Sequence, residues 1–312
     1  LDRESDQFAA RLVQQGVGAG DQVALLVPRS IQFMIAMLGI LKAGAVCVPV
    51  PTSLPKGRLS QVLSATKVTI VLRFSHFNFE YATAQHLLVD ELGRADEYEA
   101  VPLPRVAGNA IAFVLFTSGS TGCPKPTVIR HHSVVGLFAE PTCGRFDREQ
   151  VFLHHTLCGW DAMLLEVFGP LLYGGTCVLY PHERLDMNDL PDLVGHKSVN
   201  SLWLSAPLFH AVVEESIGNL DGLQQVFTGG DVVRPEIVRT AQREYPNLLI
   251  INGYGPVECV VFSTAFRVPK NAPNHWRDLP IGRPFGDRRC YLLDPQLSRV
   301  PIGIGGDVHV GG

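Results

Sequence analysis

The sequence has no uninterrupted apolar run long enough to cross a bilayer. Its longest apolar stretch, 31–51, is broken by Gly39, Lys42, Gly44 and Pro49, whereas a helical span needs about 20 consecutive apolar residues. That stretch reads instead as a helix followed by a strand. The opening residues Leu1-Asp2-Arg3-Glu4 lack the basic start and apolar core of a signal peptide. Metal-type cysteine spacing is also missing. Cys47, Cys123, Cys143, Cys158, Cys177, Cys259 and Cys290 are scattered, with no CxxC pair and no His/Cys cluster of zinc spacing. Free thiols in a reducing cytosol are therefore expected, and the pairs His131-His132 and His154-His155 are read as structural rather than metal-binding. Charge is scarce at 18% of residues, and the net charge of -4 argues against nucleic acid or an anionic membrane as the main partner. There is no internal repeat and no low-complexity linker.

What is present is a chain of 312 residues with 46% hydrophobic content, enough for a sizeable core. Short apolar runs at 23–27, 46–50, 68–72, 111–116, 177–180, 201–204, 226–228 and 248–252 read as buried strands. Helical stretches fall at 3–15, 30–41, 59–65, 207–215 and 235–244, with Ser30 as a cap and Gly44 as a stop. This alternation predicts an α/β fold of parallel-rich sheets flanked by helices. Ligands in such sheets bind at the carboxyl ends of strands. From about Pro280 the composition turns to Gly, Pro and β-branched residues, which predicts a β-rich segment.

One loop stands out. Phe116-Thr117-Ser118-Gly119-Ser120-Thr121-Gly122-Cys123-Pro124-Lys125 follows a predicted strand and concentrates hydroxyls, glycines and a lysine. Glycines let backbone approach an anion, and hydroxyls and amide N–H groups donate to phosphate oxygens. The loop is not the common GxxxxGK[ST] motif, because Pro124 and Pro126 stand where that motif needs Gly and Ser or Thr. Gly16-Val17-Gly18-Ala19-Gly20-Asp21 likewise fails as GxGxxG and reads as a turn.

Residues 117–125 resemble the TSGSTGxPK loop of the adenylate-forming superfamily, which includes peptide-synthetase adenylation domains and acyl-CoA ligases. Leu41-Lys42-Ala43-Gly44 resembles its LKAG element, Phe227-Thr228-Gly229-Gly230-Asp231 the segment against adenine, and Asn252-Gly253-Tyr254-Gly255-Pro256-Val257-Glu258 its NxYGPTE element. Pro280-Ile281-Gly282-Arg283-Pro284 and the segment 306–312 resemble PIGRP and GELxxGG. The resemblance covers essentially the whole chain and implies amino-acid adenylation with ATP and Mg²⁺. It assigns Thr117, Ser118, Gly119, Ser120, Thr121, Gly122 and Lys125 to the phosphates, with Gly229, Gly230, Asp231, Asn252, Gly253 and Gly255 around the nucleotide. Tyr254 would stack on adenine and Glu258 would hold the metal; Lys125, Thr117 and Glu258 are the catalytic candidates. The implied partners are a phosphopantetheine-bearing carrier protein and adjacent synthetase domains, with a small accessory protein left open.

Gly159-Trp160-Asp161-Ala162-Met163-Leu164-Leu165-Glu166 resembles the segment that begins the acid pocket, where an Asp at the position of Asp161 pairs with a substrate α-ammonium. Read alone, Asp161 is equally a helix cap. The implied pocket comprises Asp161, Ala162, Leu165, Trp203 (Leu204 if the register slips by one), Phe227, Gly229, Gly253, Val261 and Phe262. This apolar set resembles the pattern for valine and other branched aliphatics. An acyl- or aryl-CoA ligase and a weakly catalytic binding or scaffold module are the alternatives. Two departures from the family pattern bear on activity. Pro126 replaces a Gly at what reads as a phosphate-facing turn, and Val257 replaces a Thr. The resemblance also implies paired α/β subdomains over about 1–275, the beginning of a β-rich, distorted-barrel subdomain over about 276–312, and no small C-terminal domain.

Overall fold

The computed structural model describes residues 1–92, 101–118, 124–139, 143–215 and 220–311. The chain forms two compact units, and each draws on more than one stretch of sequence. The first comprises 1–133, 156–163 and 179–183; the second comprises 134–155, 164–178 and 184–312.

The first unit runs α1 (Asp2–Gln14), β1 (Gln22–Leu26), α2 (Ile31–Lys42), β2 (Val46–Pro49), α3 (Lys56–Ser64), β3 (Val68–Arg73), β4 (Gln85–Leu88), α4 (Val89–Leu92), β5 (Ile111–Ser118) and β6 (Pro124–Arg130). Its six-stranded sheet has the order β4-β3-β1-β2-β5-β6, parallel except for the final β5–β6 pair. Local chemistry sets the boundaries. Ser30 accepts the Phe33 N–H at 3.1 Å and starts α2, and Gly44 takes φ +76 to turn the chain into β2. The central strands β1 and β2 are apolar on both faces, as buried parallel strands must be, and Ala24, Leu26, Val46, Val48 and Val71 lie in one buried cluster.

A short helix α5 (His131–Gly136) follows. The second unit then carries β7 (Val151–His154), α6 (Ala162–Tyr173), β8 (Thr176–Leu179), α7 (Leu190–Gly195), β9 (Ser201–Ser205), α8 (Ala206–Glu215), β10 (Gln225–Gly229), α9 (Pro235–Glu244), β11 (Leu249–Tyr254), β12 (Thr264–Arg267) and β13 (Arg283–Pro284). Its seven-stranded sheet has the order β13-β12-β11-β10-β9-β7-β8. Strands β9, β10 and β11 are parallel, while β12 and β13 add an antiparallel edge. The segment expected to be β-rich forms a two-stranded antiparallel ribbon, β14 (Arg289–Leu293) with β15 (Asp307–Gly311). Among the described residues no closed barrel is present.

Parallel-rich α/β architecture is thus observed as expected. Strand β6 was not expected, because two prolines hide it, and neither were the short β4, β7, β12 and β13. Pro126 does not occupy a turn: it pairs with Phe116 in β6, the last strand of its sheet. A missing N–H is tolerated there, since an edge strand has one side with no ladder partner.

Candidate functional site

The hydroxyl-rich loop links β5 to β6. Thr117 pairs with Lys125 and Ser118 with Pro124 where β5 and β6 meet. Lys125 is exposed there and Thr117 half-buried. Gly119, Ser120, Thr121 and Gly122 lie outside the described residues, as does Gly312.

In the second unit, β9, β10 and β11 end level with one another. Ser205, Gly229 and Gly253 share one register row, and Trp203, Phe227 and Ile251 another. Two glycines side by side are required sterically. A Cβ on Gly229 would stand 2.0 Å from the Gly253 carbonyl oxygen, and one on Gly253 would stand 2.0 Å from the Phe262 ring. The carboxyl edge therefore presents bare backbone, over which aromatic rings close. The Phe262 centroid lies 5.6 Å from Trp203, 6.2 Å from Phe227 and 5.7 Å from Phe285. Trp203, Phe227, Val261 and Phe262 are all buried. Trp203 follows the register of β9, so it is Trp203 rather than Leu204 that meets this ring cluster.

A cavity of about 410 Å³ opens beside this wall, lined by Gly230, Asp231, Asn252, Gly253, Tyr254 and Asp278 among others. Tyr254 presents its ring to solvent, at 50% exposure. Buried Asn252 donates its side-chain N–H to the Pro280 carbonyl at 3.0 Å. That bond fixes the amide so that its oxygen is directed away from Pro280, as an acceptor. Gly253 belongs both to the cavity and to the aromatic contact.

After β11 the chain makes a 3₁₀ turn, Val257–Cys259, and places Glu258 at the surface. Val260 and Val261 then adopt φ +58 and +65. A β-branched residue at positive φ is costly, and two in succession must be held by their surroundings. Phe262 N–H donates to the Val260 carbonyl at 2.8 Å, and Ser263 N–H to the Tyr254 carbonyl at 2.8 Å. Arg288 donates from Nη2 to the Cys259 carbonyl at 3.1 Å and pairs through Nη1 with Asp287 at 2.8 Å. Burial draws the Arg288 guanidinium below its ordinary range, and the adjacent Asp287 opposes that shift.

Leu165 is buried on α6, where the next residue, Glu166, is buried completely. His154 Nδ1–H donates to Glu166 Oε2 at 2.7 Å and the His155 backbone N–H to the same oxygen at 3.2 Å. His155 Nε2 lies 2.7 Å from the Trp203 carbonyl. A carbonyl can only accept, so Nε2 carries the proton. This network ties β7, α6 and β9 together beneath the aromatic wall. Glu166 ends the segment that resembles the acid pocket but received no role from the sequence, and Arg288 was not singled out. A lone carboxylate inside the apolar run 162–168 was the available signal for the first, and Arg288 offered none. Ala162 is buried and half-buried Asp161 accepts the Ala162 N–H at 2.9 Å; both belong to the first unit, whereas the other pocket candidates belong to the second. Among the described residues no cluster of three metal-type ligands occurs, and no helix is long and apolar enough to cross a membrane.

Known proteins match this arrangement throughout. The chain is 33% identical over 316 residues to one of the linear gramicidin synthase subunits of Brevibacillus parabrevis, covering 100% of this chain and 4% of that protein. It is 31% identical over 318 residues to surfactin synthase subunit 2 of Bacillus subtilis, again over 100% of this chain and 9% of the relative. It therefore spans a small part of the curated relatives it matches. Among solved structures, the Klebsiella oxytoca NpsA N-terminal subdomain in complex with 3-hydroxybenzoyl-AMSN superposes with a TM-score of 0.91 at 26% identity, covering 99% of this chain and 79% of that one. PA1221, an NRPS protein containing adenylation and PCP domains, superposes with a TM-score of 0.90 at 27% identity, over 99% and 62% of the two chains. The family model of the AMP-binding enzymes spans residues 1–312, and the chain belongs to that family.

Proposed function

We propose that this chain activates an α-amino acid with a branched apolar side chain, using ATP to form an aminoacyl-adenylate and pyrophosphate. One observation carries the reading. Gly253 is at once part of the cavity that presents Tyr254 and Asn252 and the backbone floor under Phe262. A planar base beside a small apolar pocket, separated by bare backbone, is what joining adenylate to a compact acyl group requires. The Tyr254 ring offers a stacking face at little entropic cost. The Asn252 oxygen can accept from an exocyclic amine.

The substrate carboxylate oxygen attacks the α-phosphorus, the bond to the bridging oxygen breaks, and pyrophosphate leaves with that electron pair. Proton transfer plays little part, so positioning and charge neutralisation carry the rate. Thr117, Ser118 and Lys125 would engage the phosphates, together with Gly119, Ser120, Thr121 and Gly122. A Mg²⁺ held by the phosphates and one carboxylate would neutralise developing charge; exposed Glu258 is a hard oxygen ligand of suitable chemistry. Asp161 would pair with the α-ammonium. The buried apolar wall would reject polar side chains, whose groups would be left unpaired. The relatives are peptide-synthetase subunits and the neighbours include adenylation–PCP proteins, which supports a carrier-protein thiol as the acceptor. Within a longer protein, the stretch 276–312 would begin a further β-rich subdomain.

The test is thermal stabilisation by non-hydrolysable aminoacyl-adenylate analogues carrying valyl, leucyl, phenylalanyl or aspartyl groups. Ligand that binds the native state alone raises the melting temperature. The largest shift is expected for the valyl form, with loss on Asp161→Ala. An equal shift for the aspartyl form would refute the apolar pocket. A preference for acyl analogues lacking the amine, with coenzyme A-dependent product, would establish the acyl-CoA ligase alternative instead.

A further inference from the structure

A cluster of basic side chains lies at the amino ends of strands β10 and β11. At their amino ends, away from Tyr254, two cavities of about 450 and 570 Å³ meet at Gln242 and Lys270. Arg145, Arg267 and Lys270 line one; Arg239, Arg243 and again Lys270 line the other, with Glu236 as the single carboxylate among the described residues. Five cations to one acid is a strong local excess in a chain of net charge -4. None of the five forms a salt bridge among the described residues. Like charges gathered without carboxylate partners repel, so the cluster costs stability unless something anionic covers it.

The backbone beneath these cations is fixed. Buried Gln225 brackets Arg145, accepting its N–H at 2.8 Å and donating to its carbonyl at 2.8 Å. Gln242 brackets the loop after β12, donating to the Pro269 carbonyl at 2.6 Å and accepting the Ala272 N–H at 3.2 Å. Arg239 adds a bond to the Pro273 carbonyl at 3.2 Å. Two side-chain amides thus fix the main chain at Arg145 and along the loop after β12, so the charges stand on a preorganised floor.

We propose that this groove binds an acidic polypeptide segment. The charges are spread along two joined cavities rather than converging on one point, so an extended polyanion suits them better than a single phosphate. Among the described residues no aromatic side chain lines either cavity, and single-stranded nucleic acid is ordinarily gripped by base stacking on aromatics. Gln224, Gln242, Asn247, Asn271 and Asn274 add amides that can pair with a peptide backbone.

The experiment is fluorescence anisotropy of a labelled, terminally blocked Glu/Ala heptapeptide titrated with the full chain at low salt. Binding is expected, weakening as salt rises. Arg145→Gln/Arg267→Gln/Lys270→Gln should reduce affinity roughly tenfold, since each exposed charge contributes modestly. Arg3→Gln/Lys67→Gln/Arg105→Gln, which removes as much charge elsewhere, should leave it unchanged. Melting curves confirm that both variants fold. Absence of peptide binding, or equal binding by the groove variant, would overturn the proposal. So would displacement of the peptide by oligothymidylate or tripolyphosphate at lower concentration than by unlabelled peptide.

Discussion

Phe262 lies so close over Gly253 that a Cβ on the glycine would meet Cε1 of the ring at 2.0 Å. The ring cannot retreat easily, because Trp203, Phe227 and Phe285 pack around it. Gly253→Ala should therefore destabilise the chain by about 1–3 kcal/mol, the usual cost of overpacking a filled core. It should also abolish stabilisation by the valyl-adenylate analogue. Gly253→Ala/Phe262→Leu should recover most of the stability, since the smaller side chain yields the space. Urea denaturation of the wild type, Gly253→Ala, Phe262→Leu and the double variant checks this, and additive effects would show that the two residues are not coupled.

Glu166 gives a sharper stability prediction. Its carboxylate is fully buried and receives both the His154 ring N–H and the His155 backbone N–H. Glu166→Ala removes that acceptor and should cost about 3–5 kcal/mol, as breaking one side of a buried polar pair commonly does. Glu166→Gln keeps one acceptor oxygen and should cost clearly less. If both variants matched the wild-type denaturation midpoint, the network would not be contributing to stability.

Two histidines set an acid limit. Burial lowers the pKa of His131; burial first, then the charge of Arg234, lowers that of His210. His210 Nε2 accepts the Arg234 backbone N–H at 3.1 Å, which a protonated ring could not do. Folded-state values below the ordinary value of about 6.5 mean that the unfolded chain takes up protons first as pH falls. Their contribution to stability is full above that ordinary value and is lost as pH falls from it towards the lowered folded values. The melting temperature should therefore decline between about pH 7 and pH 5. In His131→Asn/His210→Asn the decline should be shallower; an identical slope would assign the acid sensitivity to other groups.

The strands that carry the candidate residues were legible for a physical reason: 226–228 and 248–252 are mostly apolar and are followed by glycines, the pattern of buried parallel strands ending at a ligand edge. What could not be read was set by contacts distant in sequence. Arg288 reaches back to the Cys259 carbonyl, and no local pattern marks a residue that bonds a main-chain group 29 positions earlier. The paired positive φ values at Val260 and Val261 contradict local propensity, and tertiary packing imposes them. Four-residue β12 and two-residue β13 are too short to leave a periodic signature.

Pro126 shows the same limit and gives the last prediction. The sequence suggested a phosphate-facing turn in which a missing N–H would be harmful. The structure places Pro126 in β6, opposite Phe116, on the outer strand of the first sheet. At such a position proline loses no essential ladder bond, and it restricts the unfolded chain. Pro126→Gly should then lower stability by about 0.4–1 kcal/mol through greater unfolded-state entropy. It should leave the thermal shift produced by an adenylate analogue unchanged. If the glycine variant instead bound the analogue more tightly, Pro126 would be acting on the adjoining hydroxyl-rich loop rather than on the edge strand alone.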